Sequence, residues 1–266
     1  MPLLQIRLKD PDMLPYQSKQ RVTVPAGLIK SAEEWVEDAL KSGIIRKAEY
    51  NHEMWIASQF FKEKPGRTNS RGNPEVRPLV NANVLTDACE YPMFWLESMP
   101  TVASAGSAVA ACSTRFVEID IEGFYNLLGV HPNSHKYQGV WILGELYIYL
   151  CCLQGSGPSA AWANFVLEHL YNAAYGMAWT NYWVKFVDDH VCPGKDDEQA
   201  LNRAKMLRAV LEVGGLKVSD KTPGVSREYG QLAGVTISAQ GIMLNEEAVD
   251  AVKISLATTP RTATEV

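Results

Sequence analysis

The sequence predicts an α+β fold, in which an antiparallel sheet carries two helices on one face. Three observations support this prediction: an alternating apolar segment at 115–121, a helical segment without breakers at 159–174, and two adjacent aspartates between short apolar segments. With a hairpin predicted at 141–153 set aside, the order is strand, helix, strand–turn–strand, helix and strand, which is the split βαβ arrangement. The remaining segments of this order are 182–187, 190–192, 196–213 and 230–238.

The region before residue 115 is predicted to contain a helix and a hairpin. Pro11, Pro15 and Pro25 predict an extended start. Ser31 is predicted to cap a helix, because Glu34 completes a capping box three residues later and Gly43 supplies a stop. The stretch from Lys62 to Arg77 is rich in Lys, Arg, Gly and Pro, which predicts a hairpin or loop between two strands.

Composition places the chain among ordinary globular proteins. It has 266 residues, of which 47% are hydrophobic and 21% charged, so wholesale disorder is excluded. No apolar run reaches the roughly 18–20 residues that cross a bilayer, and the N-terminus lacks a signal-peptide pattern. The five cysteines form no C-x-x-C pair, which argues against a disulfide framework or a structural zinc site. We therefore expect an intracellular, cytoplasmic setting.

Charge is unevenly distributed along the chain. The formal net charge is −5, with +3 in residues 1–80, −9 in residues 81–200 and +1 in residues 201–266. A divalent-metal site in the middle, flanked by basic segments that meet a polyanion, explains this pattern. A chance distribution of surface charge explains it as well, so charge alone does not decide between the two.

The most informative residues are three aspartates. Asp188 and Asp189 follow the apolar strand that ends at Val187, and a tight turn is needed for both to serve one place. Two aspartates in a turn are also common for structural reasons alone. Asp120 lies between Ile119 and Ile121 within an apolar strand, where a carboxylate is costly unless it is solvated or binds a cation.

The predicted sheet brings these carboxylates together. In the split βαβ arrangement the first strand lies beside the central hairpin, so we expect Asp120 to face Asp188 across neighbouring strands. Like charges opposite one another destabilise a sheet, whereas bound Mg²⁺ reverses the penalty. Two such ions roughly 3.5–4 Å apart can activate a primer 3′-hydroxyl and stabilise the leaving pyrophosphate.

Further motifs occur around these aspartates in a characteristic order. They are Gly43–Arg46, Val76–Val80, Tyr125, Val130–Pro132, Leu153–Gly155, Pro158–Ala160, Phe186–Asp189, Gly215–Lys217 and Leu232–Ser238. Together they resemble the fingers–palm region of reverse transcriptases, most of all those of gypsy-type LTR retrotransposons and related retroviruses. The matches run from about residue 37 to residue 266.

The resemblance implies a polymerase right hand with a ferredoxin-like split βαβ palm. The implied segments are an extended N-terminus at 1–30, fingers at 31–114, a palm at 115–240 with a fingers insertion near 130–153, and the start of a thumb at 241–266. The implied activity is RNA-directed DNA polymerisation, in which dNTPs are added to a primer on an RNA or DNA template with two Mg²⁺ ions, or Mn²⁺ as a substitute. Because the family continues into more thumb, a connection and an RNase H region, we expect a piece of a retroelement polyprotein.

The resemblance also implies roles for individual residues. Asp120, Asp188 and Asp189 are the implied catalytic and metal-binding residues, with Ile121 as a further member of the metal site. The implied dNTP-binding residues are Lys62 or Lys64 with Arg77 at the triphosphate, Tyr125 as a steric gate against a ribose 2′-hydroxyl, and Gln154 near the incoming nucleotide. Leu232 and Gly234 are the implied primer grip.

The chain departs from the family pattern at several positions, and two other functions stay open. Asn81 and Asn83 replace an Asp and an Arg that the family often has, and Gln154 stands where the retrotransposon branch usually has Phe. A catalytically silent module that binds nucleic acid or protein would need no intact site, but all three aspartates are present. An RNA-templated RNA polymerase would share the metal chemistry, but a gate at Tyr125 argues against it.

Overall fold

The structure is a computed structural model that describes residues 2–18, 23–92, 111–219, 225–232, 234–244 and 249–250. The chain divides into two compact units, each described here by itself. The first unit comprises residues 1–96 and 123–167, and the second comprises residues 97–122 and 168–266. Most of the expected thumb segment, 241–266, lies outside the described residues, as do residues 93–110 of the expected fingers.

The first unit is built around a five-stranded sheet and one long helix. Its elements are β1 (Arg7–Leu8), α1 (Ile29–Lys41), β2 (Ile45–Lys47), β3 (Ile56–Thr68), β4 (Pro74–Asn81), α2 (Asn83–Ala88), β5 (Cys89–Glu90), α3 (Phe124–Leu127), β7 (Gly139–Ile142) and β8 (Glu145–Tyr149). The sheet has the order β2-β8-β7-β3-β4, and its only parallel pair among the described strands is β3 with β7. The predicted hairpin at 141–153 is confirmed as β7 and β8.

Helix α1 covers this sheet through an apolar face. Ala32, Val36 and Ala39 are buried in one hydrophobic cluster with Phe61 and Tyr149 of the sheet. The predicted cap at Ser31 is wrong, because a short 3₁₀ turn at Ala26–Leu28 leads directly into the helix and places Ser31 inside it.

Glu34 tethers the tip of the β3–β4 hairpin to helix α1. Its carboxylate accepts hydrogen bonds from Asn69 Nδ2 and Asn73 Nδ2, both at 2.7 Å. Arg71 at the tip donates to Glu37 at 2.9 Å and to Asp38 at 3.0 Å. The hydrogen bond from Asn69, followed by the bond from Asn73 and the charge of Arg71, lowers the pKa of Glu34. The tip is thus held by acceptors on a neighbouring helix in addition to its own backbone hydrogen bond from the Asn69 amide to the Asn73 carbonyl.

Replacement of Glu34 is expected to release this tip. In Glu34→Ala the amides of Asn69 and Asn73 lose their acceptor, so trypsin should cleave after Arg67 and Arg71 several-fold faster than in the native chain. Mass spectrometry of timed digests measures the two rates. Glu33→Ala is the matched control, because Glu33 is an exposed neighbour in the same helix. Equal cleavage rates in both variants would show that Glu34 does not hold the tip.

The second unit contains a three-stranded antiparallel sheet, which accounts for three of the four predicted strands. Its elements are β6 (Arg115–Asp120), β9 (Val184–Phe186), β10 (Asp189–Gly194), α5 (Asp197–Val213), β11 (Tyr229–Leu232), β12 (Val235–Ser238) and β13 (Gly241–Leu244). Helix α4 (Gly157–Tyr175) begins in the first unit and ends in the second. Strands β6, β10 and β9 are neighbours in that order, and α5 packs on β6 and β10.

The two faces of the β6-β10-β9 sheet differ in character. Phe116, Val184 and Val191 lie on one face and form a buried cluster with Leu232 and Ile237 of the β11–β12 hairpin. The cross-strand partners Ile119 and His190 point to the opposite face, since side chains alternate along a strand. Register therefore assigns each residue of β6 and β10 to a definite face.

The mixed α+β class is confirmed, and two strand boundaries need correction. The strand predicted at 230–238 is two antiparallel strands, β11 and β12, because the chain reverses at Gly234 with φ +81°. β11 and β12 form a separate sheet with β13 and are not part of the β6-β10-β9 sheet, contrary to the predicted split βαβ order. Ile121 and Val218 form an isolated bridge. None of the described helices has the length and apolar composition to span a membrane.

Candidate active site

Two of the three predicted aspartates lie directly opposite each other in the sheet. Asp120 ends β6 and Asp189 begins β10, and their Cα atoms are register partners in the antiparallel pair. Both therefore lie on the face that also carries Phe116 and Val191. The expectation that Asp120 faces Asp188 is wrong by one residue, because β10 starts at Asp189 and the turn occupies positions 187 and 188.

Asp188 is held in the tight turn between β9 and β10. Val187 precedes it with φ +53°, a left-handed conformation that is rare for a β-branched residue and costs roughly 1–3 kcal/mol. The carbonyl of Asp188 accepts hydrogen bonds from the Ile121 amide at 3.3 Å and from His190 Nδ1 at 2.9 Å. These bonds tie the turn both to the end of β6 and to β10.

Burial and nearby acidic residues raise the pKa of Asp189. Burial is the largest cause, because it disfavours the charged carboxylate, and the negative charges of Asp188, Asp120 and Glu118 add to it. Together they raise the pKa of Asp189 to about 6, although part of its side chain remains exposed to solvent. Glu118 lies two residues before Asp120 on the same face and accepts a hydrogen bond from the Gln231 amide at 2.7 Å.

The raised pKa of Asp189 predicts that neutralising this residue changes the stability of the fold in a pH-dependent way. Its pKa is raised from 3.8 to about 6 in the folded chain. The stability that protonation of Asp189 contributes to the fold is therefore complete below pH 3.8 and is lost as pH rises through 6. Without divalent cations, Asp189→Asn should therefore melt at a higher temperature than the native chain at pH 7.5. The difference should shrink towards pH 4.5. Thermal melts across this range test it, and a pH-independent difference would contradict the linkage.

The carboxylates of the site are of the chemical type that binds a hard divalent cation. Carboxylate oxygens are the ligands that Mg²⁺ prefers, and it is commonly held by one or two of them with water and substrate phosphates. Within the described ranges, no three His, Cys, Asp or Glu side chains are grouped closely enough to hold a metal ion. Ile121 is 1% exposed, and because its side chain is a hydrocarbon, its backbone carbonyl is the only oxygen through which it could bind a cation.

The predicted primer-grip residues lie in the same unit as the aspartates. Leu232 is buried in the cluster formed with Phe116 and Val191 and pairs with Val235 across the β11–β12 hairpin. Gly234 adopts φ +81° at the β11–β12 reversal, a conformation that glycine accepts without strain. Gly230 meets the sheet closely, since an added Cβ there would lie 2.7 Å from Val191.

In the first unit, three of the predicted dNTP-binding residues line one cavity. Lys64, Arg77 and Gln154 border a polar cavity of about 330 Å³. Lys64 is ion-paired with Glu75, which also lines the cavity. Lys62 is not among the lining residues, but it is the register partner of Arg77 and so lies on the same face of the β3–β4 hairpin.

Tyr125 lies in the short helix α3 at the edge of this region. Its ring is partly buried and lies 6.0 Å from that of Phe124, measured between centroids. Gly123 and Asn126, close to it in sequence, line the cavity. Gly123 has φ +61° and begins α3.

Comparison with solved structures connects this architecture to polymerases. No family model and no curated protein matches the chain. The protease–reverse transcriptase of a foamy virus, solved with double-stranded DNA, matches with a TM-score of 0.68 and 17% identity over 98% of this chain and 43% of that one. The same viral protein with an RNA/DNA hybrid gives 0.68 and 18% identity over 98% of this chain and 33% of that one. The chain has a reverse transcriptase-like fold.

The reverse transcriptase-like fold accounts for only part of those viral proteins. A further foamy viral protease–reverse transcriptase structure, also with double-stranded DNA, has a TM-score of 0.67 and is covered over 51% of its length. The chain therefore spans about a third to a half of these three chains. The neighbours support a retroviral type of reverse-transcriptase fold, whereas a gypsy-type origin remains a prediction.

Sequence reasoning missed several residues that shape the site. Glu118 and Asn126 carried no motif signal. His190 is not among the predicted site residues, yet it is 1% exposed and both of its ring nitrogens have hydrogen-bond partners. Burial, reinforced by the charge of Lys185, lowers the pKa of His190 to about 3, so the ring is neutral at physiological pH. A histidine directly after the Asp-Asp pair was the available signal.

Proposed function

We propose that this chain is an RNA-directed DNA polymerase that adds deoxynucleotides to a primer 3′-hydroxyl on an RNA or DNA template. The observation that carries the proposal is the register of Asp120 with Asp189, with Asp188 in the adjoining turn. Burial, together with the negative charges of nearby acidic residues, raises the pKa of Asp189, and carboxylates placed this close gain from a bound cation. The reverse transcriptase-like fold supplies the polymerase context.

Each group of residues has a part in the proposed reaction. Asp120, Asp188 and Asp189, with the carbonyl of Ile121, would hold two Mg²⁺ ions, for which Mn²⁺ can substitute. When bound, these ions supply Lewis acidity towards the attacking and leaving oxygens.

The residues of the first unit would bind the nucleotide. Arg77 suits two-pronged contact with a triphosphate, and Lys62 or Lys64 adds positive charge. Gln154 would contact the nucleotide and Tyr125 would exclude a ribose 2′-hydroxyl. Leu232 and Gly234 would support the primer through their backbone.

The proposed layout assigns fingers to 31–114, a palm to 115–240 and the start of a thumb from 241. The foamy viral neighbours are much longer than this chain, so we propose that it works as part of a retroelement polyprotein. Additional thumb, connection and RNase H regions would then be partners within that polyprotein.

Primer extension on an RNA template tests the proposal. The purified chain, alone and within the longer polyprotein, is mixed with a labelled primer, dNTPs and Mg²⁺. Template-dependent extension that EDTA abolishes is the expected result. Nucleic-acid binding without extension in both forms would favour a catalytically silent module, and preferential incorporation of NTPs would favour an RNA polymerase.

A further inference from the structure

Two buried polar side chains, His190 and Tyr171, form a hydrogen-bonded chain that ends at the turn carrying Asp188 and Asp189. His190 Nδ1 lies 2.9 Å from the carbonyl oxygen of Asp188, and His190 Nε2 lies 2.6 Å from Tyr171 Oη. A carbonyl only accepts hydrogen bonds, so Nδ1 carries the proton and Nε2 accepts from the tyrosine hydroxyl. Tyr171 is 0% exposed and His190 is 1% exposed, so water does not compete for either bond.

The clamped carbonyl adjoins the strained residue of the turn. Val187 keeps its left-handed backbone at φ +53° although a β-branched side chain disfavours it. Such a conformation persists only where surrounding contacts over-determine it. The bonds from Ile121 and His190 to the Asp188 carbonyl fix the orientation of the peptide group between Asp188 and Asp189, next to the strained Val187.

Helix α4 contacts both strands of this hairpin. Tyr171 contacts His190 in β10, and Glu168, three residues earlier, lies 3.8 Å from Lys185 in β9. Lys185 and His190 are register partners, so both point to the same face of the sheet. The Tyr171 ring is itself packed edge-on against Trp183, with centroids 5.2 Å apart. The hydroxyl that orients His190 therefore belongs to a fixed ring.

We propose that Tyr171 and His190 are positioning residues that fix the Asp188–Asp189 turn for the reaction. This inference rests on the proposed polymerase function. The chain of contacts runs from Tyr171 Oη through the imidazole to the Asp188 carbonyl, and neither side chain touches substrate. A shift of about 1 Å in the turn displaces both carboxylates, and misplacement on that scale costs roughly 10²-fold in rate.

Three variants separate positioning from simple packing. His190→Leu removes both hydrogen bonds while keeping an apolar side chain of similar reach. His190→Asn places Nδ2 where Nδ1 stood, so it can still donate to the Asp188 carbonyl. Tyr171→Phe keeps the ring contact with Trp183 and removes only the hydroxyl. Glu168→Gln is the control for general destabilisation, because it weakens the ion pair to Lys185 without touching the turn.

Two measurements decide the question. In primer extension, His190→Leu should lower kcat by roughly 10- to 100-fold with the dNTP KM little changed, His190→Asn should recover most of the loss, and Tyr171→Phe should lie between them. Amide hydrogen exchange at residues 187–190 should accelerate in the same order. Glu168→Gln should lower the melting temperature without altering exchange in the turn.

The exchange measurement keeps this inference separate from the polymerase proposal. If the native chain extends no primer, the proposed function fails, while faster exchange in His190→Leu alone still supports the positioning role. If exchange at 187–190 is the same in His190→Leu and the native chain, the inference is overturned. It is also overturned if His190→Asn behaves like His190→Leu in exchange and in rate.

Discussion

Asp188→Asn is expected to abolish nucleotide incorporation by this chain while leaving its fold intact. The substitution keeps the size of the side chain and removes the charge that would hold a divalent cation. Loss of such a ligand should lower kcat by roughly 10³-fold or more, because it removes electrostatic stabilisation of the reacting phosphate. The turn itself should survive, since the bonds from Ile121 and His190 to the Asp188 carbonyl remain in the variant.

Single-turnover primer extension with Mg²⁺ measures this effect, and circular dichroism checks the fold. Glu122→Gln is the matched control, because it removes the same charge two residues beyond Asp120. Glu122 is exposed and forms an ion pair with Lys217 at 2.6 Å. Incorporation retained by Asp188→Asn at the native rate would eliminate the proposed metal mechanism, whereas equal losses in both variants would indicate a general charge effect.

Tyr125→Ala is expected to admit ribonucleotides. The aromatic ring would exclude the 2′-hydroxyl because an added oxygen finds neither space nor a partner there. Removing the ring should lower the preference for dNTPs over NTPs by roughly 10²-fold or more. Comparing kcat/KM for dCTP and CTP on one template measures the change.

The control for the gate is Tyr125→Phe, which keeps the ring and removes only the hydroxyl. It should retain the native sugar preference, because exclusion depends on bulk. An unchanged preference in Tyr125→Ala would show that another residue excludes the ribose. A preference lost equally in both variants would assign the selectivity to the tyrosine hydroxyl rather than to its ring.

Local patterns were sufficient to predict the elements that position the aspartates. The alternation of 115–121 predicted β6, and the run without breakers at 159–174 predicted α4 almost to its ends. The one-residue error at Asp188 has a physical cause. Nothing in the sequence indicates that Val187 adopts a left-handed backbone, since valine disfavours it and only tertiary contacts impose it.

These local patterns could not predict interactions between residues that are distant in sequence. Glu34 was predicted to complete a cap at Ser31, but its partners Asn69 and Asn73 lie 35 and 39 residues away. A single strand was predicted at 230–238 because the alternation continues on both sides of Gly234. The chain reverses at that glycine. The buried pair of Tyr171 and His190 likewise depends on the packing of α4 against β10.

The division of the chain has a consequence for dissecting it. Residues 97–122 belong to the second unit but stand between two stretches of the first, so no single cut separates the two units. A fragment that stops at residue 167 would retain the whole first unit together with β6, whose partner β10 would be gone. The exposed edge of β6 would then invite pairing with other molecules. Expression of the first unit alone therefore requires a short engineered linker in place of residues 97–122.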